Sequence, residues 1–252
     1  MDRNSMLSNL FKSSPVIYIM GLLIFSVCSF MPKTDNVGPI KILIVGGGSS
    51  HDFEKWYKEA DKNTLSKDGL ADVIYTENVD SISYYLRDRD VLYLTNNQPI
   101  DDDRTRRDIM AFANKGKGLI LGHAALWYNW KDWPEYNQIL VSGGSRGHDR
   151  YGEFKVEVVN EKHPVTRGVP KNFSLKDELY YFNVDPIGPG IEVLAAASSE
   201  SSGTFPSVFI VKHASSRIVG IALGHDEASH ELEAYQTILT NAFMWAAKRE
   251  MP

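Results

Sequence analysis

The chain has 252 residues, of which 43% are hydrophobic and 23% charged. This composition is typical of one ordinary globular domain once the N-terminus is set aside. The formal net charge at pH 7 is −5, and the sequence has no block of Lys and Arg. Because a nucleic-acid-binding surface needs concentrated positive charge, these features argue against a nucleic-acid partner. Cys28 is the only cysteine, which excludes an intrachain disulfide.

The N-terminus carries the features of an export signal. An uncharged apolar run covers residues 16–31, with basic residues before it and a short polar linker to Gly38 after it. This order is typical of a secretory signal peptide, and the run is short for a membrane-spanning helix. We therefore expect residues 1–38 to direct export and residues 39–252 to form the folded domain.

Cys28 lies near the end of the apolar run, where a bacterial lipoprotein carries its lipid-modified cysteine. Val27 and Phe25 differ from the small residue and the leucine that are usual in front of it. Three alternatives stay open: a lipid anchor at Cys28, a cleaved signal that releases a periplasmic protein, and an uncleaved membrane anchor. All three place the domain outside the cytoplasm and limit membrane contact to the N-terminal segment.

The first half of the domain alternates short apolar runs with charged, helix-like segments. The predicted strands are 40–45, 71–76, 90–95 and 118–121. Helices are predicted over 53–65 and 100–115, and a short helix or turn over 81–87. These alternations indicate an α/β fold, a flavodoxin-like three-layer sandwich whose mostly parallel sheet is doubly wound with right-handed crossovers.

Three glycines follow the first predicted strand and lead to His51 and Asp52. They resemble a phosphate-binding turn, but neither G-x-G-x-x-G nor G-x-x-x-x-G-K-[ST] is present, so a nucleotide site has little support. A tight turn into a helix is the better interpretation. Asp52 is then expected to cap the N-terminus of that helix.

The second half of the domain has a different hydrophobic pattern, which predicts further strands added to the sheet. The strands are 154–159, 191–197, 207–213 and 217–223, and a closing helix covers 232–248. Between the first two of these strands, segment 173–182 contains Asp177 and Glu178. His163 is expected to order a loop, and His213 and His230 are expected on the surface.

The stretch 116–149 contains the strongest indications of a site. His123 directly follows a buried strand, at the edge where open α/β sheets bind their ligands. Four aromatic residues come next: Trp127, Tyr128, Trp130 and Trp133. A glycine-rich loop, 143–149, then carries Arg146 and His148. Aromatic faces beside charged groups suit a sugar, and the alternative is a hydrophobic surface helix followed by a flexible loop.

Taken in order, these landmarks resemble the ThuA-like family, named for trehalose utilisation and related to the class I glutamine amidotransferases. The matching stretches are His51–Asp52, Gly122–His123, the glycine-rich loop to His148, His163–Pro164, Asp177–Tyr180, Gly224–His225 and Trp245–Ala247. The resemblance implies a flavodoxin-like sheet and a role in carbohydrate use.

The chain departs from its amidotransferase relatives at the position of their nucleophile. Those relatives carry a nucleophilic cysteine on a sharp turn after a central strand, and the corresponding residues 121–125 here include neither Cys nor Ser. Acyl transfer needs a thiolate or an activated hydroxyl. Glutaminase and protease chemistry are therefore excluded.

The remaining polar residues define the expected site. The candidate catalytic residues are His123, His148, Glu178 and His225, and the candidate substrate-binding residues are His51, Trp127, Arg146 and Asp177. His51, His123 and His225 each follow a predicted strand, so a parallel sheet brings them to one crevice. Three imidazoles near a carboxylate predict a divalent-metal site, with zinc favoured by nitrogen ligation. Without a metal, Glu178 or Asp177 serves as general base and a histidine as acid.

The sequence therefore predicts an exported carbohydrate-active protein, a hydrolase or isomerase that acts on a glycoside or keto-sugar. Two alternatives stay open: a sugar-binding module without catalysis, and an inactive amidotransferase-like scaffold. The sequence leaves the sugar, the bond and the oligomeric state undetermined.

Overall fold

The computed structural model describes residues 38–127 and 132–249. Its strands are β1 Ile40–Val45, β2 Ala71–Thr76, β3 Val91–Leu94, β4 Gly118–Gly122, β5 Gly143–His148, β6 Gly152–Val158, β7 Asn172–Asp177, β8 Tyr180–Val184, β9 Ile191–Ser199, β10 Gly203–Val211 and β11 Ile218–Ile221. Its helices are α1 Glu54–Asp61 with its continuation Lys62–Ser66, α2 Ile82–Tyr85, α3 Asp103–Asn114, α4 Glu227–His230 and α5 Glu233–Ala246. A further helical segment, Tyr136–Val141, precedes β5.

The central sheet has nine strands in the order β2-β1-β3-β4-β11-β10-β9-β6-β7. The pairings among β2, β1, β3, β4 and β11 are parallel, and those from β11 onward are antiparallel. The parallel half has the strand order of a flavodoxin-like fold, and the antiparallel half comes from the second part of the chain. The predicted fold class, with its added strands, is confirmed.

Both faces of the parallel half of the sheet are buried, which gives this half the three layers of a sandwich. In β1, Ile42 and Ile44 belong to the core under α1 and α5, whereas Leu43 and Val45 belong to the core under α3. A strand alternates its side chains between two faces, so burial of both faces requires an apolar residue at nearly every position. This is why the parallel strands read as continuous apolar runs.

The helix starts follow the sequence prediction. Asp52 Oδ1 accepts a hydrogen bond from the backbone N–H of Lys55 at 3.0 Å, and Asp102 Oδ2 accepts from the N–H of Thr105 at 2.8 Å, at the start of α3. Each carboxylate satisfies a donor that the helix itself leaves free. The capping role predicted for Asp52 is confirmed.

The glycine-rich segment predicted as a loop is the strand β5, which pairs with β8 in a separate two-stranded sheet. A Cβ atom on Gly143 would lie 2.2 Å from the carbonyl oxygen of Asn183, so only glycine allows the two backbones to approach this closely. Glycine ordinarily weakens a strand, so the sequence favoured a loop. The pairing with β8 is a tertiary contact that local sequence does not reveal.

Most of the predicted export segment lies outside the described residues, and Cys28 is among the residues not described. Across residues 38–127 and 132–249, no helix has the length and hydrophobicity that a membrane crossing requires.

His230, which was predicted to lie on the surface, is buried, and that prediction is wrong. Its Nδ1 lies 2.7 Å from Asp61 Oδ1 and its Nε2 lies 3.1 Å from the carbonyl oxygen of Gly224. Both partners are acceptors, so the ring donates from both nitrogens and is an imidazolium. Burial alone would lower the pKa of His230, but the Asp61 carboxylate outweighs it and the pKa is raised. A salt bridge thus joins α1 to α4 inside the protein.

Replacement of His230 by Ala should destabilise the protein by about 3–5 kcal/mol, because it leaves the Asp61 carboxylate buried without its cation. The urea midpoint, compared at an unchanged m value, measures this loss. Lys58→Ala is the matched control, since it breaks an exposed ion pair with Glu54 and should leave the midpoint within error of wild type. Equal midpoints for all three proteins would contradict a stabilising role for the buried pair.

The stabilisation by His230 should also depend on pH. Because the folded-state pKa is raised, the contribution is complete below the unfolded value of about 6.5 and is lost as the pH rises through the folded pKa. The difference in unfolding free energy between wild type and His230→Ala should therefore narrow as the pH rises from about 6.5 through the folded pKa of His230. A difference that stays constant or widens over this range would show that the ring is not charged.

Candidate active site

Four side chains converge beyond the carboxyl ends of the parallel strands. His51 follows β1, His123 follows β4, His225 follows β11, and Glu178 lies in the turn between β7 and β8. One nitrogen from each histidine and one carboxylate oxygen all lie within 4.8 Å of one another. The crevice at this edge is where open α/β sheets bind ligands, because the loops of several strands meet there.

The histidine rings are arranged edge to face around a common centre. The centroid of His51 lies 4.9 Å from that of His123 and 4.8 Å from that of His225, and the latter two centroids are 5.6 Å apart. His123 is fully buried, whereas the other two are partly buried. The crevice is therefore largely shielded from solvent but open on one side.

The nitrogens that face this centre have no hydrogen-bond partner within the described part of the chain: His51 Nε2, His123 Nε2 and His225 Nδ1. The opposite nitrogens of two rings are bonded to backbone carbonyl oxygens, His51 Nδ1 to Ser49 at 3.1 Å and His123 Nδ1 to Ala222 at 2.7 Å. A carbonyl oxygen can only accept a hydrogen bond. In each neutral ring Nδ1 therefore carries the hydrogen, and the lone pair of Nε2 points to the centre. Metal-binding histidines are oriented in the same way.

The protonation states of the cluster follow from burial and neighbouring charge. Burial, helped by the nearby His123, lowers the pKa of His51 to about 3, so this ring is neutral at physiological pH. For Glu178, burial acts to raise the pKa, but His123 and His225 reverse that effect and lower it well below its usual range. The contact with Glu178 raises the pKa of His225. An ionised carboxylate and a neutral imidazole are the forms that bind metal ions, so Glu178 and His51 are in binding forms, whereas a protonated His225 would have to release its proton on metal binding.

Glu178 touches three of the histidines. Its Oε2 lies 3.6 Å from His123 Nε2 and 3.3 Å from His225 Nδ1, and its Oε1 lies 3.6 Å from His148 Nδ1. The structure thus brings together all four candidate catalytic residues, with Glu178 at the centre of the group.

Asp177, a candidate substrate-binding residue, is fully buried, and both of its carboxylate oxygens accept hydrogen bonds from other groups of the protein. Its Oδ1 accepts from the backbone N–H of Glu178 at 2.6 Å. Its Oδ2 accepts from the N–H of Gly224 at 2.8 Å, from the N–H of His225 at 3.4 Å and from the hydroxyl of Ser229. With both oxygens satisfied, Asp177 positions the loops that carry Glu178 and His225 and does not face a ligand.

His123 has a positive φ of 30°. Left-handed backbone is costly for a residue with a side chain and tends to occur at functional sites, where the surrounding structure imposes it. It is held here by the bond to Ala222 and by the ring of Tyr180, whose centroid lies 4.3 Å away. A histidine therefore occupies the tight turn after the central strand β4.

The mouth of the crevice is partly aromatic. The Trp127 ring lies 5.6 Å from that of His148 and 5.5 Å from that of Tyr180, and Trp127 is partly exposed. His148 is about one-third exposed, and its Nδ1 bonds to the carbonyl of Asp149 at 2.7 Å. Arg146 is exposed on the same strand as His148, β5.

The other residues of the aromatic stretch are not all available to the site. Trp133 is 4% exposed and packs in the core against Tyr136. Tyr128 and Trp130 lie outside the described residues. The stretch therefore contributes Trp127 to the mouth and Trp133 to the core.

Two tyrosines near the cluster were not identified from the sequence. Tyr180 lies against His123, and the centroid of Tyr151 lies 5.4 Å from that of His225. The position of Tyr180 two residues after Glu178 was a usable signal, since alternate residues of an extended segment point the same way. Tyr151 had no comparable signal, because it reaches the site through the turn between β5 and β6.

Comparisons with known proteins agree with this architecture. The family model described as ThuA, trehalose utilisation, matches residues 41–246. Among curated protein sequences, none matches the chain significantly.

Solved structures with the same fold include two ThuA-like proteins. The one from Parabacteroides merdae ATCC 43184 has a TM-score of 0.72 at 24% identity, over 85% of this chain and 93% of that chain. The one from Bacteroides uniformis ATCC 8492 has a TM-score of 0.71 at 22% identity, over 83% and 92%. A β-galactosidase from Rahnella sp. R3 is similar over 85% of this chain but only 32% of its own, with a TM-score of 0.60 and 13% identity.

At these identities the solved structures show a shared fold alone. The family model is the more specific finding, because it spans most of the chain from β1 to the end of α5 and includes every residue of the histidine cluster. This protein therefore belongs to the ThuA family.

Proposed function

We propose that this protein is a carbohydrate-active enzyme whose His51, His123, His225 and Glu178 hold a divalent metal ion, with zinc the best match. One observation carries the proposal. Three partly or fully buried imidazole nitrogens without hydrogen-bond partners in the described chain converge on one space beside a carboxylate. A buried polar atom without a partner costs about 1–3 kcal/mol. Glu178 compensates His123 and His225 only in part, through contacts of 3.6 and 3.3 Å, and leaves His51 Nε2 uncompensated, so the three nitrogens together favour a ligand.

The donor set suits zinc. Three nitrogens and one oxygen are ligand types that zinc prefers. In His51 and His123 the opposite nitrogen, Nδ1, bonds to a backbone carbonyl oxygen, which orients the ring as in metal-binding histidines. Zinc bonds of about 2 Å imply ligand atoms roughly 3.3 Å apart in a tetrahedron. The contacts of 3.3 and 3.6 Å between Glu178 and two of the histidines are close to that spacing.

A bound divalent ion would polarise a carbonyl or hydroxyl oxygen of the substrate, or lower the pKa of a water molecule. The protein's own groups supply the other functions. His148 is exposed at the mouth and close to Glu178, so it is placed to give a proton to the substrate or to accept one. Trp127 offers a partly exposed ring on which the C–H face of a sugar can stack.

The substrate class rests on the family and on the mouth of the crevice. The family is described by trehalose utilisation, and an aromatic ring beside an exposed histidine suits a polyhydroxylated ligand. We propose a glycoside or a keto-sugar, whose carbonyl oxygen is a group that a metal site activates well. Hydrolysis and isomerisation are two reaction types that can proceed without a nucleophilic Cys or Ser.

We also propose that the domain works outside the cytoplasm, attached or released through its N-terminal segment. The support is the composition of residues 1–38, a basic start followed by an apolar run and a polar linker. Fractionation of host cells into soluble and membrane proteins, followed by mass spectrometry of the peptide that contains Cys28, distinguishes the lipid anchor from the other two forms.

The full-length chain, purified without an affinity tag, should contain close to one equivalent of zinc or another divalent ion per molecule. His123→Ala should lose that metal, because it removes a fully buried ligand. Elemental analysis measures both. His213→Ala is the matched control, since His213 lies in a loop where its Nδ1 accepts from the N–H groups of Ser215 and Ser216. The proposed site would be contradicted if the wild type stays metal-free after zinc loading, or if His123→Ala has the same metal content as the wild type.

An enzyme and a binding module differ in how they respond to two substitutions. His148→Ala should lower kcat on trehalose or its keto derivative by about 10²–10⁴-fold, the range for a lost general acid or base. Trp127→Ala should instead raise KM by roughly 2- to 10-fold, because it removes only a stacking surface.

Steady-state kinetics and calorimetry on the same sugars distinguish the outcomes. If the wild type binds the sugar without turnover, and Trp127→Ala weakens this binding most, the protein is a sugar-binding module and not an enzyme. An unchanged kcat in His148→Ala would show that His148 does not take part in the proton transfer.

A further inference from the structure

We propose that Asn97 is a positioning residue for the site: it holds the loop after β1 so that His51 presents its Nε2 to the cluster. Asn97 follows β3, the strand next to β1 in the sheet. The expected effect on metal affinity rests on the proposed function. The orientation of His51 can be measured without a metal.

The Asn97 side chain bonds both backbone groups of one residue in the neighbouring loop. Its Oδ1 accepts from the N–H of Ser49 at 2.8 Å, and its Nδ2 donates to the carbonyl oxygen of Ser49 at 2.8 Å. The backbone N–H of Asn97 also donates to the carbonyl of Gly47 at 3.2 Å. An amide that satisfies a donor and an acceptor of the same residue fixes that residue's position and its rotation.

The loop needs such external support because its backbone is unusual. Gly47, Gly48 and Ser50 all have positive φ, of 97°, 127° and 70°. A Cβ atom on Gly48 would lie 1.8 Å from Asn97 Oδ1. The glycine at position 48 is thus explained by the close approach of Asn97, and the one at position 47 by Gln98, whose Nε2 would lie 2.5 Å from a Cβ atom there.

The connection to the cluster passes through the carbonyl oxygen of Ser49. That oxygen accepts from Asn97 Nδ2 and also from His51 Nδ1, at 3.1 Å. The second bond sets the tautomer of His51, with the hydrogen on Nδ1 and the lone pair on Nε2, the nitrogen that has no partner in the described residues. If the Ser49 carbonyl rotates away, His51 loses the acceptor that fixes both its tautomer and its ring plane.

Asn97→Ala tests the inference in the full-length protein. With the metal removed, nitrogen NMR of the imidazoles, assigned by comparison with His51→Ala, should show the Nδ1–H tautomer of His51 in wild type and a mixture in Asn97→Ala. Asn78→Ala is the matched control: Asn78 also follows a strand and also accepts a backbone N–H, that of Asp80 at 3.0 Å, but its hydrogen bonds lie outside the loop of His51. It should leave the His51 signals unchanged.

Metal affinity provides the second measurement. Zinc affinity, determined by competition with a chelator, should fall about 10–100-fold in Asn97→Ala, the usual effect of a lost outer-shell partner. In a His51→Ala background the same substitution should have no further effect, because Asn97 acts only through His51. A general loosening of the structure would lower the affinity in both backgrounds.

The outcomes are separable. An unchanged His51 tautomer in Asn97→Ala, or an equal loss of affinity with and without His51, overturns the role of Asn97. Failure of the wild type to bind zinc overturns the proposed metal site instead, while the NMR comparison still decides whether Asn97 orients His51.

Discussion

The candidate site depends on one buried carboxylate, that of Asp177. Its two oxygens accept from the backbone of Glu178 on one side and from the Gly224–His225 backbone and Ser229 on the other. It therefore joins the turn after β7 to the loop after β11, two segments far apart in sequence. A buried carboxylate is costly unless every lone pair is satisfied, and these donors satisfy it without a cationic partner. The same bonds that stabilise the charge fix the geometry of the cluster.

The other side of the His225 loop is fixed by a second buried pair. The carbonyl of Gly224 accepts from His230 Nε2 and from the hydroxyl of Tyr57, while the N–H of the same residue bonds to Asp177. The imidazolium of His230 is in turn paired with Asp61. The N–H and the carbonyl oxygen of Gly224 are thus held by groups from different helices and strands. Precise placement of a ligand-bearing loop is what a metal or catalytic site requires, because small displacements weaken it strongly.

The chemistry of the crevice follows from the residue at the tight turn after a central strand. That residue is His123, which is fully buried and has a left-handed backbone conformation. A histidine in this position supplies no thiolate for a thioester intermediate, but it can present a nitrogen lone pair. Together with His51 and His225 it produces a nitrogen-rich site facing Glu178. A shared fold does not by itself fix an activity, so function has to be argued from these side chains.

The sequence by itself determined the parallel half of the sheet, because strands buried on both faces must be continuously apolar and the helices between them must begin with capping groups such as Asp52. It also determined that histidines follow three of these strands, and a parallel sheet necessarily places such ends at one edge. Only the tertiary structure decided the rest. The pairing of β5 with β8 depends on contact between distant glycine and asparagine backbones, and the burial of His230 depends on Asp61, which is 169 residues away. The positioning roles of Asp177 and Asn97 likewise rest on hydrogen bonds between segments that no local pattern connects.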